Sequence, residues 1–256
     1  MVMLWVALLG CSDLVTTALD IEQGSGVPAE RAVDVATAPE GIDVSDAMRV
    51  VLHPGAAETR AVVHADDNLI DGVEVVLDGK ILRIGTEGNT APEAPTFVEV
   101  WSTSAPRQIT ASGASRVESP ALTNPELLLD ASGSAKISVA STDAPLVMVK
   151  GSGAAEVRFG GVRAETLSAT LSGSSGLVVE DGRVALLSAA MDGAAVLSAE
   201  PLDGDRATVA VSGAARVELG TFRELSAAAS GAAKVHYDGD PDLESEATGA
   251  AKISRR

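Results

Sequence analysis

The 256-residue chain carries a formal charge of −17 and a sequence pI near 4.5, which leaves no global cationic footprint for nucleic-acid phosphates. Its 46% hydrophobic content is enough to fill a core, but only 2% of residues are aromatic, so the bulky side chains on which a large globular core leans are scarce. No run of about 20 apolar residues is present to span a bilayer as a helix.

Residues 1–11 (MVMLWVALLGC) form an uncharged apolar run that ends on Leu8-Leu9-Gly10-Cys11, followed by Ser12-Asp13. This resembles a bacterial lipoprotein signal peptide with its lipobox, and it marks Cys11, the single cysteine, as the expected lipidation site. The run lacks the Lys or Arg that ordinarily precedes the apolar stretch of a secretory signal. An apolar strand with a buried free thiol is the other reading. Lipidated at Cys11, the protein would have no disulfide and would rest on packing alone. Residues 12–30, polar with Gly and Pro, read as a flexible tether.

Residues 31–109 read as strands joined by turns: Met48 to Leu52, Thr59 to His64, Val73 to Leu77, Ile81 to Ile84 and Thr96 to Trp101. Turn signals fall at Pro54-Gly55, Asp78-Gly79 and Gly88-Asn89, and Asp78-Gly79 between two apolar runs predicts a hairpin. These irregular first coils are expected to cap one end of the repeats beyond them.

From residue 110 to 254 one motif recurs eight times, from Ser112-Gly113-Ala114-Ser115 to Thr248-Gly249-Ala250-Ala251. Its glycines are 20 residues apart five times and then 18 apart twice. The fourth residue after Gly is aliphatic in every copy: Val117, Ile137, Val157, Leu177, Leu197, Val217, Val235 and Ile253. A second apolar column lies six residues before Gly, at Val147, Leu167, Leu187, Ala207, Leu225 and Leu243. Apolar positions alternate with Ser, Thr and charged residues, the period of two of a strand with one buried face. A 20-residue coil cannot bury that face alone, so coils must stack, about 4.8 Å apart. The fold class expected is all-β, a parallel β-solenoid. Gly suits a corner with positive φ or close backbone approach, and the Ser, Thr or Asp before it is placed to bond a nearby backbone N–H.

The third residue after Gly points away from the aliphatic column. It is Arg116, Lys136, Glu156, Gly176, Val196, Arg216, Lys234 and Lys252. Five cations in one outward column of an acidic protein make a candidate surface-binding stripe for an anionic ligand, an acidic polysaccharide or lipid headgroups. Offsetting of nearby carboxylates and protection of a sheet edge is the alternative role.

The order Gly41-Ile42-Asp43-Val44-Ser45, Ala65 to Ile70, the Asp78 to Ile84 hairpin and then serial Ser-Gly-Ala-Ala units resembles the putative auto-transporter adhesin, head GIN domain family, over residues 31–254. The resemblance implies a right-handed parallel β-helix in a secreted or lipid-anchored bacterial envelope protein. With Ser12 after Cys11, it implies the outer membrane as the site of the anchor.

Catalytic signals are sparse. His53, His64 and His236 are scattered, with no metal-ligand spacing, and no phosphate loop, dinucleotide fingerprint or nucleophile elbow stands out. Asp238-Gly239-Asp240-Pro241-Asp242 lacks a Ca²⁺-loop spacing. No catalytic residue, cofactor or metal is therefore assigned. The expectation is a surface adhesin or ligand-binding module, with its lipid in the membrane and envelope glycans or another envelope protein as partner. A polysaccharide-active β-helix enzyme, a protein scaffold or sensor, and self-association of the chain stay open.

Overall fold

The corner glycines set the architecture. In the computed structural model, which describes residues 21–256, all eight motif glycines have φ between +69° and +83°. L side chains rarely adopt that conformation. From Gly133 to Gly249, a Cβ placed on the glycine would lie 2.5–2.9 Å from the carbonyl oxygen of the glycine one coil earlier. The next residue's N–H donates to that same oxygen at 2.7 Å in every coil, as with Ala154 to Gly133 and Ala250 to Gly231. Backbone lies on backbone, which leaves no room for a side chain.

Each coil runs through three short strand faces. The first precedes the Gly corner and the second follows it. The third, narrower face links one coil to the next. Neighbouring coils pair in parallel: on the first face Val147 lies beside Leu167, Leu167 beside Leu187 and Leu187 beside Ala207. On the second face the predicted aliphatic column runs unbroken from Val117 to Ile253. Its members from Val117 to Val235 are at most 1% exposed. The third face adds Leu122, Val162, Val184, Leu202 and Phe222 to the core, all buried. The result is a right-handed parallel β-solenoid of about seven turns, the hand that strand–crossover–parallel-strand connections take. The final coil, with strands Asp242–Ala247 and Lys252–Arg255, is the least buried, and Leu243 is 39% exposed.

The residues after each Gly divide the corner between them. The first, such as Ala154 or Ala214, is exposed, whereas the second is buried, at Ser115, Ala135, Ala155, Ser175, Ala195, Ala215 and Ala233. Ser175 is the largest change from Ala in the middle coils, and its hydroxyl donates to the Gly151 carbonyl at 3.1 Å. The motif Ser before Gly was expected to bond a local N–H. At Ser172 the hydroxyl instead reaches the Gly151 carbonyl of the coil below at 3.5 Å, and at Ser212 it donates to the Asp192 carboxylate of the coil below at 2.6 Å, with the Met191 carbonyl at 3.3 Å. Coil stacking supplies the acceptor in both cases.

The cap end departs from chain order. The strands Gly41–Val44 and Arg49–Pro54 pair directly with Gln108–Ala111 and Arg116–Thr123 of the first motif coil. The intervening chain drops below them, where Ile81–Thr86 and Phe97–Ser102 pair in parallel from the other side. Antiparallel strands then close the end: Val73–Asp78 against Ile81–Thr86, and Arg60–Asp66 against Phe97–Ser102. The predicted hairpin is present, with Gly79 at φ +62° and Gly79-Lys80 as its loop, one residue later than Asp78-Gly79.

The tether expectation is corrected over its second half. Residues Ile21–Gln23 pair with Asn89–Ala91, and Pro28–Asp34 pairs antiparallel with Arg60–Asp66 as a further cap strand. Its alternating pattern carries Arg31 inward, where Nη2 donates to the Ile70 and Val73 carbonyls. The signal-peptide and lipobox reading of residues 1–11, including Cys11, and the tether over 12–20 lie outside the described residues.

Candidate functional site

The outward column predicted from the repeat is a physical ladder. Arg116 pairs with Lys136, Lys136 with Glu156, Glu156 with Gly176, Gly176 with Val196, Val196 with Arg216, Arg216 with Lys234 and Lys234 with Lys252. Toward the cap it gains a cation that the motif did not reveal, because Arg49 lies beside Arg116. The stripe is thus two cationic segments separated by Glu156, Gly176 and Val196.

The two segments differ in their surroundings. In the cap-proximal one, Arg49 meets Glu118 at 3.0 Å and Lys136 meets Glu156 at 3.3 Å. Arg158, one outward position along, bonds Glu180 at 2.7 Å and Glu156 at 3.0 Å. Of these, Glu118, Lys136, Glu156 and Arg158, with Arg116 and His53, line an open groove of about 770 Å³. Arg158 beside it, with help from Lys136, holds the Glu156 carboxyl below the usual carboxylate range. Glu180 and then Glu156 push the Arg158 guanidinium further up. Both groups stay ionised, which suits electrostatic binding and not proton transfer. In the distal segment, Arg216, Lys234 and Lys252 are exposed, and among the described residues none has a carboxylate within ion-pair distance.

A second cluster covers the outer face of the cap. His53 and His64 do not pair with one another, as adjacent strands would allow. Strand Phe97–Ser102 lies between them, and Glu99 takes one imidazole on each oxygen, His53 Nε2 and His64 Nε2 both at 3.1 Å. His64 Nδ1 lies 3.4 Å from Glu30. His53 stacks on Trp101 at 4.8 Å, Arg60 lies over the same ring at 4.6 Å, and His64 stacks on Phe97 at 4.2 Å. Trp101 is therefore stacked by His53 and Arg60 and is not a bare platform for a sugar ring. Among the described residues no group of three His, Cys, Asp or Glu side chains has the arrangement to hold a metal ion. The Asp238–Asp242 loop is engaged instead with Arg255 and Arg256.

The sequence matches the family described as putative auto-transporter adhesin, head GIN domain, over residues 38–241. The chain belongs to this family. No functionally curated protein matches it. Solved structures share the fold of this head GIN domain at low identity. A putative adhesin from Parabacteroides merdae has a TM-score of 0.81 at 16% identity, over 93% of this chain and 99% of that one. A putative adhesin from Parabacteroides distasonis also scores 0.81, at 18% identity over 93% and 100%. A structure from the same organism, described as a putative lipid binding protein, scores 0.75 at 18% identity over 92% and 99%.

Of the residues singled out in the head GIN domain's sequence, Arg116 and Lys136 fall in the groove, while Arg216, Lys234 and Lys252 lie together farther along the same ladder. Sequence reasoning missed Arg49, Arg158 and Glu99. The signal for Arg49 was present in Asp46-Ala47-Met48-Arg49-Val50, which places a cation and an aliphatic residue three and four positions after Asp46, the motif's offsets from Gly.

Proposed function

We propose that this protein is a non-catalytic adhesin-type module of the bacterial envelope, lipid-anchored through Cys11, that holds an external ligand on the outer face of its solenoid. The observation that carries the reading is the outward cation ladder from Arg49 to Lys252. It sits on the outside of a rigid stack whose strand-paired coils fix the spacing of its side chains. The groove beside it keeps Glu156 ionised and Arg158 protonated, so neither is poised as a general acid or base. The family's adhesin description and the adhesin description of its structural relatives agree with this role. A relative described as lipid binding makes anionic headgroups a second ligand class for the same ladder.

The test is an array of envelope and extracellular glycans probed with purified protein, read both for retention and for release of sugar products. Retention without product release is expected. Release of product, or no retention by any glycan or anionic vesicle, contradicts the proposal. Globomycin-sensitive processing that is lost in Cys11→Ser tests the anchor separately.

A further inference from the structure

The two segments of the ladder differ in a way that points to a more specific ligand. Off the ladder, Arg163, Arg206 and Arg223 each have a carboxylate between 2.6 and 3.8 Å, whereas Arg107, Lys150 and Arg183 have none among the described residues and do not form a run of three on consecutive rungs. At Arg216, Lys234 and Lys252 three cations occupy consecutive rungs in direct register, with no such partner among the described residues. Like charges placed directly opposite on neighbouring strands oppose pairing. The solenoid tolerates this arrangement in a protein whose net charge of −17 offers carboxylates in plenty. The nearest outward column holds Glu218, His236 and Ser254; His236 is hydrogen-bonded to Ser254, and Glu218 makes no ion pair with the ladder. The other flank is the Gly corner, whose exposed Ala214, Ala232 and Ala250 carry neither charge nor bulk. Together these make a single file of cations beside a low ledge.

Resting on the surface-binding reading above, we infer that Arg216, Lys234 and Lys252 form a docking ladder for a linear polyanion, an acidic polysaccharide laid along the solenoid axis. Rungs about 4.8 Å apart put the three charges within roughly 10 Å, about one Debye length at physiological salt, so they act as one site. A chain with an anionic group on successive sugars engages several rungs at once, and each further contact is made at high effective concentration. A single acidic sugar engages one. The file is one residue wide and its ledge is flat alanine, which favours a thin polymer over a membrane surface that needs broad apolar or polybasic contact.

The experiment measures binding of the intact protein to polygalacturonate, to galacturonate monomer, to neutral dextran and to phosphatidylglycerol vesicles. The variants are R216E/K234E/K252E and, as a charge-matched control, R107E/K150E/R183E, which reverses three cations off the ladder that also lack a carboxylate partner among the described residues; circular dichroism confirms that each is folded. Expected are polymer binding at least about tenfold tighter than monomer, weakening as salt rises, and loss in the ladder variant but not in the control. Equal loss in both variants, equal affinity for monomer and polymer, or capture by vesicles but not by polygalacturonate overturns the inference. If glycans on the array are still retained by the ladder variant, the ladder assignment fails while the surface-binding reading stands.

Discussion

The carbonyl oxygen of Asp46 accepts the N–H of Ala114 at 2.5 Å, and a Cβ on Gly113 would sit 2.5 Å from that same oxygen. Asp46 is the head of the glycine column. It is the one non-glycine residue at positive φ among the described residues, at φ 63°. The coil below it presents no stacked glycine carbonyl; instead the Asp46 carboxylate accepts from Thr86 N at 3.1 Å and from Ser45 Oγ at 2.9 Å. A side chain is thus admitted only where the column ends.

Two glycine substitutions separate the demands of conformation and of space. Gly79→Ala, at φ +62° with nothing within 4 Å, faces only the conformational cost, about 1–2 kcal/mol. Gly153→Ala, at φ +70° with the Gly133 carbonyl oxygen 2.7 Å from the new Cβ, must also push neighbouring coils away from each other. Chemical denaturation is expected to show Gly153→Ala losing at least about twice as much stability as Gly79→Ala.

Asp66 is fully buried and accepts backbone N–H groups from Gly26 at 2.6 Å, Glu93 at 2.9 Å and Ala94 at 3.1 Å. It ties the first described residues and the bend at Glu93-Ala94 to the cap. Asp66→Ala leaves three amides without their acceptor, at about 3 kcal/mol or more. Hydrogen exchange is expected to accelerate at those three amides while the motif coils keep their protection.

Glu99 organises the outer cap face by bonding both His53 and His64. Glu99→Ala should destabilise the protein by about 1–2 kcal/mol, and the fluorescence of Trp101, stacked on His53, should shift. Glu99→Gln keeps one acceptor and should fall between the two.

Glu156 links stability to pH. Its folded pKa lies below the ordinary carboxylate value, chiefly through the Arg158 hydrogen bond. The contribution is therefore full above that ordinary value of 4.5 and is lost as pH falls through the lowered folded one. The partners are partly exposed, so its size is under about 1 kcal/mol. The stability gap between the parent and Glu156→Gln should be present at neutral pH and close in acid; a gap that widens in acid contradicts the assignment.

The repetitive region of the fold was legible because each rung repeats one solution: Gly at the corner, a small residue behind it, an aliphatic residue four positions on. Aligning glycines therefore gave the inward column from Val117 to Ile253 and the outward cations directly. The cap was legible only as strands. Nothing local tells that Ile81–Thr86 lies below Gly41–Val44 although it follows it in the chain, and Asp46 hid a further corner by replacing Gly where no carbonyl is stacked beneath. The partners of the cations were out of reach for a similar reason. Lys136–Glu156 joins equivalent positions one repeat apart and could be anticipated, whereas Arg49–Glu118 spans 69 residues and depends on the inserted cap segment.

Docking of a polyanion along Arg216, Lys234 and Lys252 is read by amine footprinting of the intact protein with and without bound polygalacturonate. Mass spectrometry should show Lys234 and Lys252 protected by the ligand, while Lys80 at the cap hairpin and Lys150 on the first face label at unchanged rates. Protection of Lys80 or Lys150 with Lys234 and Lys252 left reactive would contradict it.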